Sequence, residues 1–239
     1  MKNAILTTAA LGLASVVSVA QADLTEAFRV DALSANGSSS FVVHFDDGSW
    51  EGGVWTYELD DQVDLNGVGM IQSATIVIAS GNRSVGQTVS LNFNVVAGAL
   101  NTVFSVTSGT AAAGYLSAMG QASAGVSVTD TLGDGATLSP DGTSVYTAYY
   151  NGLPGTQFAG LLNSAITAGA FSTATANAQF PGGGSFAPIV GPVNDISASW
   201  TFAVSAFDVA TGTSVFTIVP SPASLALLGM GGLAIRRRR

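Results

Sequence analysis

Along the middle of the chain apolar and polar residues change places at every second position. Between Val85 and Ala97, Val89, Leu91, Phe93 and Val95 alternate with Ser90, Asn92 and Asn94. A period of two puts successive side chains on opposite faces of an extended chain, so this segment reads as a half-buried strand. Gly69 to Ala79 precedes it, and the turn-rich Ser80-Gly81-Asn82-Arg83 between the two predicts a long hairpin. Shorter strands are expected at Phe41 to Phe45 and Val54 to Leu59, joined through Asp46-Asp47-Gly48, and at Thr102 to Thr107. From Ser108 to Gly125 the alternation of large apolar residues is lost. That Ala/Gly-rich stretch reads as a loop over one end of the fold, with a short helix through Tyr115, Leu116 and Met119 as the alternative.

Strands resume at Val126 to Thr131 and Ser144 to Tyr150. Phe158 to Ile166 reads as strand or short helix, and Ala170 to Phe180 as strand, with loops at Pro181 to Gly184 and Pro188 to Pro192. A final hairpin is expected from Ile196 to Phe207 and Ser214 to Val219, turning at Asp208 to Gly212. About ten short strands with turn signals between them, and no run of long amphipathic helices, predict an all-β protein. Its expected architecture is an antiparallel β-sandwich, of which a jelly roll is one arrangement.

The two ends of the chain follow other rules. Met1-Lys2-Asn3, an apolar run from Ala4 to Ala20 and the small-residue site Ala20-Gln21-Ala22 have the order of a secretory signal peptide. Passage through the secretion translocon and cleavage before Asp23 are therefore expected. At the other end stand Val219-Pro220-Ser221-Pro222, an apolar run from Ala223 to Ile235, and Arg236, Arg237, Arg238 and Arg239. Prolines stop an incoming strand and suit the first turn of a following helix. A helix from Ser221 to Ile235 would be roughly 22 Å long, short of the bilayer's hydrocarbon core of about 30 Å. Four arginines hold such an end on the cytoplasmic side.

This tail resembles the PEP-CTERM sorting signal, also catalogued as the ice-binding protein C-terminal domain, in a Pro-Ser-Pro variant where Ser221 stands in place of glutamate. The resemblance implies an exosortase-type processing enzyme, transient membrane insertion through the tail, and delivery to the cell envelope, the outer surface or an exopolysaccharide-containing extracellular matrix. The expected organisation is a signal peptide (1–22, helical), an acidic sandwich domain (23–218) and a sorting tail (219–239, with a short membrane helix).

Charge then narrows the partners. From Asp23 to the tail the body holds two basic residues, Arg29 and Arg83, against fifteen acidic ones, a net charge of −13. Such a body repels nucleic acid and anionic lipid. With no cysteine it has neither disulfides nor thiolate metal sites, and with His44 alone it has no multi-histidine site. No G-x-S-x-G elbow accompanies His44, and it reads as a strand residue. Two G-x-G-x-x-A matches, at Gly182 and Gly229, lack the strand-to-helix context of a dinucleotide site.

Two acidic clusters, Asp60 to Gly67 and Asp130 to Gly135, miss ligand positions of the EF-hand pattern and read as solvated turns, with weak Ca²⁺ binding as the alternative. No cofactor and no metal site are expected. Trp50, Trp55 and Tyr57, with Glu51 and Glu58 close by, could stack sugar rings, and Tyr146, Tyr149 and Tyr150 form a second aromatic group. The body is thus expected to be a non-enzymatic envelope or matrix protein. The alternative is a carbohydrate-binding or glycoside-hydrolysing module.

Overall fold

The structure is a computed structural model in which residues 26–80 and 86–221 are described. The expected signal segment with Ala20, Ala22 and Asp23, the turn around Arg83, and the tail from Pro222 through Arg239 lie outside the described residues, as do the two terminal helices expected there. In chain order the strands are β1 (Glu26–Ser34), β2 (Gly37–His44), β3 (Ser49–Glu51), β4 (Val54–Glu58), β5 (Val63–Asp64), β6 (Gly69–Ala79), β7 (Gln87–Ala97), β8 (Thr102–Ser108) and β9 (Ala111–Tyr115). They continue as β10 (Ala118–Thr129), β11 (Ala136–Pro140), β12 (Tyr146–Tyr150), β13 (Thr156–Leu161), β14 (Ile166–Ala168), β15 (Thr173–Phe180), β16 (Ala187–Ile189), β17 (Val193–Val204) and β18 (Val209–Pro220). Among the described residues the one helical turn is the 3-10 turn Phe45–Asp47, and no helix is long and apolar enough to cross a membrane.

Two antiparallel sheets stack as a sandwich. The first runs β13-β12-β17-β8-β1-β2, with β9 and β11 also on β17 and β14 on β11. The second runs β15-β10-β18-β7-β6-β4-β3, with β16 on β10 and β5 on β6. Its centre is the expected pair: β6 and β7 are antiparallel along their lengths, with one register shift between Ile71 and Ser73. Val89, Leu91, Phe93 and Val95 are fully buried, as the two-residue period requires. From the first sheet Trp200 meets the Phe93 ring edge-on at 5.3 Å, Phe202 stacks on Phe93 at 5.8 Å, and Tyr146 packs on Trp200 at 5.1 Å. The Trp200 indole N–H donates to Ser214 Oγ at 3.1 Å, which satisfies the one polar atom the ring carries into the core.

The stretch from Ser108 to Gly125 is not a loop. It forms β9 and most of β10, and β10 lies between β15 and β18. The period is two within each strand, but along β10 the inward positions are Ala118, Gly120, Ala122 and Ala124 rather than large apolar residues. Small residues are needed there because rings fill the space above them: a Cβ on Gly120 would stand 2.9 Å from Phe158 Cζ. A similar fit operates at Gly212, where a Cβ would stand 2.3 Å from the Phe93 ring.

The final hairpin is also corrected. β17 belongs to the first sheet and β18 to the second, so the chain crosses the sandwich between them, and of the residues expected to turn, Asp208 to Gly212, all from Val209 onward already pair with β7 and β10. The crossing is held by Asp208, which is buried and accepts from Ser205 Oγ and from Thr131 N at 3.3 Å. Phe41 to Phe45 and Val54 to Leu59 likewise sit in different sheets, β2 on β1 and β4 on β3 and β6. Part of the Pro188 to Pro192 loop is strand, β16. At the C-terminal side Val219 and Pro220 pair with Met119 and Ala118, and Ser221 N donates to Ser117 O at 3.1 Å. The lead into the tail is thus the end of the last strand, and Pro220 is where that strand stops.

Candidate functional site: a neutral sheet face

β6, β7, β10, β15 and β18 contain no charged residue. Apart from the buried Gln87, their inward positions are apolar or small, so alternation delivers most of their hydroxyls and amides to the outer face of the second sheet. Pairing registers align these side chains in rows across the strands. One row runs Asn177, Gly125, Thr213, Asn92, Thr75; the next runs Gln179, Ser123, Val215, Ser90, Val77. Hydroxyl pairs link neighbouring strands, Thr88 Oγ1 with Thr217 Oγ1 at 3.0 Å and Thr129 Oγ1 with Thr173 Oγ1 at 2.8 Å.

A groove of about 410 Å³ lies over β15, β10 and β18 on this face, lined by Ser123, Gly125, Asn177, Gln179, Thr213 and Val215. Gly125 makes its floor: an added Cβ would stand 2.5 Å from Asn177 Oδ1, so the Asn177 amide lies across β10 only because no side chain is there. Val215, 37% exposed, gives the groove one apolar patch among amides and hydroxyls. Past Gln179 a second hollow of about 370 Å³ opens beside Phe158, Gly160, Leu161 and Phe180. Phe158 meets Phe180 edge-on at 5.4 Å and stacks on Phe216 at 5.2 Å. Neutral donors and acceptors on an open face can hydrogen-bond a neutral polyhydroxylated ligand. None of the lining side chains is an ionisable acid or base.

The residues singled out from the sequence lie elsewhere. Trp55 is fully buried and donates its indole N–H to Phe45 O at 2.9 Å, so it has no free face for a sugar ring. Tyr57 is half-buried and stacks on Trp55 at 6.3 Å; burial, then Asp47 and Asp60, push its phenol up. Trp50 alone of the three is exposed, at 54%, with one side stacked on Phe45 at 6.1 Å. Glu51 pairs with Val54 and Glu58 stands four residues further along β4. At about 3.4 Å per residue the two backbones are some 14 Å apart, beyond the roughly 5–9.5 Å that separates paired catalytic carboxylates in glycosidases. Tyr146 is a core residue whose phenol is pushed up by burial.

His44 is exposed at the end of β2, and Asp47 binds its backbone N–H at 2.8 Å rather than its ring. In the first acidic cluster Asp64 Oδ1 accepts from Gly67 N at 2.9 Å, closing a turn in which Asn66 takes a φ of 54°. In the second, Asp130 is 3% exposed and accepts from Gly133 N at 2.9 Å and Phe171 N at 2.5 Å. Burial alone would raise its carboxyl; backbone N–H groups of Phe171, Gly133, Gly135 and Leu132 outweigh that and hold it below the usual range. Among the described residues no group of three His, Cys, Asp or Glu is placed to hold a metal ion.

No family model matches the chain, and no curated protein matches its sequence. Among solved structures it is similar to TmCBM61 in complex with β-1,4-galactotriose, at 9% identity over 74% of this chain and 94% of that one, with a TM-score of 0.27. It is also similar to a protein of the infectious bursal disease virus Gx strain, at 12% identity over 82% of this chain and 56% of that one, TM-score 0.32. A third is a carbohydrate-binding module of Cellvibrio mixtus lichenase 5A in complex with cellotriose, at 10% identity over 74% and 94%, TM-score 0.16. Likeness at these scores carries no inference about function.

Proposed function

We propose that the body is a non-catalytic adhesive domain that holds neutral polysaccharide on the outer face of its second sheet. The observation that carries this reading is the uncharged groove over Gly125, in a body whose net charge is otherwise −13. A ligand on that face meets amides from Asn177 and Gln179, hydroxyls from Ser123 and Thr213, and the methyls of Val215. Anionic chains are disfavoured by the long-range field of the acidic body. The two ends of the chain complete the reading: export through the signal peptide with cleavage before Asp23, then sorting by an exosortase-type enzyme through Val219 to Arg239, placing the domain in the envelope or in an exopolysaccharide matrix.

Affinity electrophoresis tests the binding half. Gels containing soluble neutral polysaccharides should slow the protein, gels containing carboxylated ones should not, and Gly125→Val, which displaces Asn177, should restore normal mobility. Equal mobility of the wild-type protein in all gels would overturn the reading.

A further inference from the structure

We propose that the protein self-associates through the open edge of β15, which pairs antiparallel with β15 of a second copy about a two-fold axis. Among the described residues β10 is the one strand hydrogen-bonded to β15. Asp130 N donates to Ser172 O at 3.0 Å, and across β10 Ser221 N donates to Ser117 O. Antiparallel alternation carried along from these bonds, with no register shift between 173 and 180, turns the even-numbered residues of β15 toward β10. Thr173, Thr175, Asn177 and Gln179 turn their backbone N–H and C=O groups outward.

Among the described residues the other three ends of the two main strand orders carry features that discourage strand addition, and the strands off those orders, β5, β9, β14 and β16, are five residues long or shorter. β3 is three residues long. The β12–β13 pairing has a register shift at Ala148/Tyr149. β2 pairs with β1 through a register shift at Glu26/Phe28, and its Ser40 Oγ is tied to Asp31 of β1 at 2.5 Å, which Arg29 Nε also meets at 2.9 Å. β15 has eight residues, no charge, no proline and no bulge.

The occupant that fits is another copy of this chain. In the register centred on Ala176, Thr175 stands opposite Asn177, Thr173 opposite Gln179, and Ala174 opposite Ala178, so every one of these cross-strand pairs is uncharged. All four outward residues of each copy then exchange hydrogen bonds. Copies with a net body charge of −13 repel one another across their acidic surfaces, which leaves the neutral edge as the approach of least repulsion. The two-fold closes the assembly, since the described residues of each copy offer one such edge.

Because the chain has no cysteine, a single introduced one reports the contact directly. Ala176 faces its own copy across the axis in a non-hydrogen-bonded pair, with Cα atoms about 4.5 Å apart, inside the range a disulfide bridges. Full-length Ala176→Cys should oxidise to a covalent dimer, while Ser105→Cys, on the first sheet, should not. Sedimentation of the wild-type protein should show a dimer, and Thr175→Pro, which removes an outward N–H and leaves the ladder to β10, should sediment as a monomer with its circular dichroism kept. Neither substitution touches the groove lining, so loss of glycan binding and loss of dimer are read separately. A monomeric wild type at every concentration, no disulfide through Ala176→Cys, or a dimer that survives Thr175→Pro would overturn the proposal. If Thr175→Pro fails to fold, the disulfide result decides alone.

Discussion

The two lateral sides of the sandwich are built from different materials. On the side of β2, β3 and β4 stand Glu26, Asp31, Asp46, Asp47, Glu51, Glu58, Asp60, Asp61 and Asp64, with Arg29 the one described cation among them. That side is also aromatic, closed by Phe45, Trp50, Trp55 and Tyr57. On the side of β13 and β15 the edge strands are uncharged, and Asp130 is drawn inward onto backbone amides. The contrast separates two uses of polarity. Charge keeps the first side soluble and discourages pairing. Neutral hydroxyls and amides leave the second side able to hydrogen-bond a partner without paired charges.

The largest effect should come from the aromatic side. Trp55→Ala empties a fully buried site and removes the indole bond to Phe45, and should cost about 3–5 kcal/mol, read as a fall in the denaturation midpoint. Next comes Asp130, the carboxylate on which the start of the neutral side is hung. Its folded pKa lies below the unfolded value of about 3.9, so its contribution is fully present above that value and is lost as pH falls through the folded pKa. Asp130→Asn should therefore melt well below wild type at neutral pH, and the gap should close in strong acid. A gap constant with pH would mean the ionised carboxylate is not what holds the loop. The smallest effect belongs to Arg29→Ala, which breaks a partly exposed pair with Asp31 and Glu26 and should cost no more than about 1 kcal/mol.

The boundary between body and tail can be sharpened in the same way. A stop after Ser221 leaves β18 whole and should release a folded body into the medium. A stop after Ile218 removes the Val219 and Pro220 rungs on β10 and should lower the melting temperature of the released product.

What was legible in the sequence follows from side-chain size. β6 and β7 were readable because large apolar residues mark their inner face, and the all-β class followed from them. β10 was not, because alanines and glycines on its inner face are chosen to fit rings from elsewhere, so the period of two is carried by size differences too small to see. The groove was missed with it, since two thirds of its lining comes from β10 and its neighbour β18. One signal was available: β6, β7, β10, β15 and β18 are all free of charge in a strongly acidic body. Aromatic residues drew attention to Trp55 because composition does not distinguish an exposed ring from a buried one. The assignment of β17 and β18 to a hairpin failed for a related reason: adjacent alternating segments look the same whether the chain turns within a sheet or crosses to the other.

The most direct test of the account is a calorimetric titration of one neutral polysaccharide, selected as the strongest retarding gel, into two variants at low and high salt. Asn177→Ala combined with Gln179→Ala should lose at least tenfold in affinity, whereas Trp50→Ala should bind as the wild type does, with little change between the two salt concentrations because no charge takes part. Binding abolished by Trp50→Ala and kept by the Asn177 and Gln179 pair would place the ligand on the aromatic, acidic side and contradict the account.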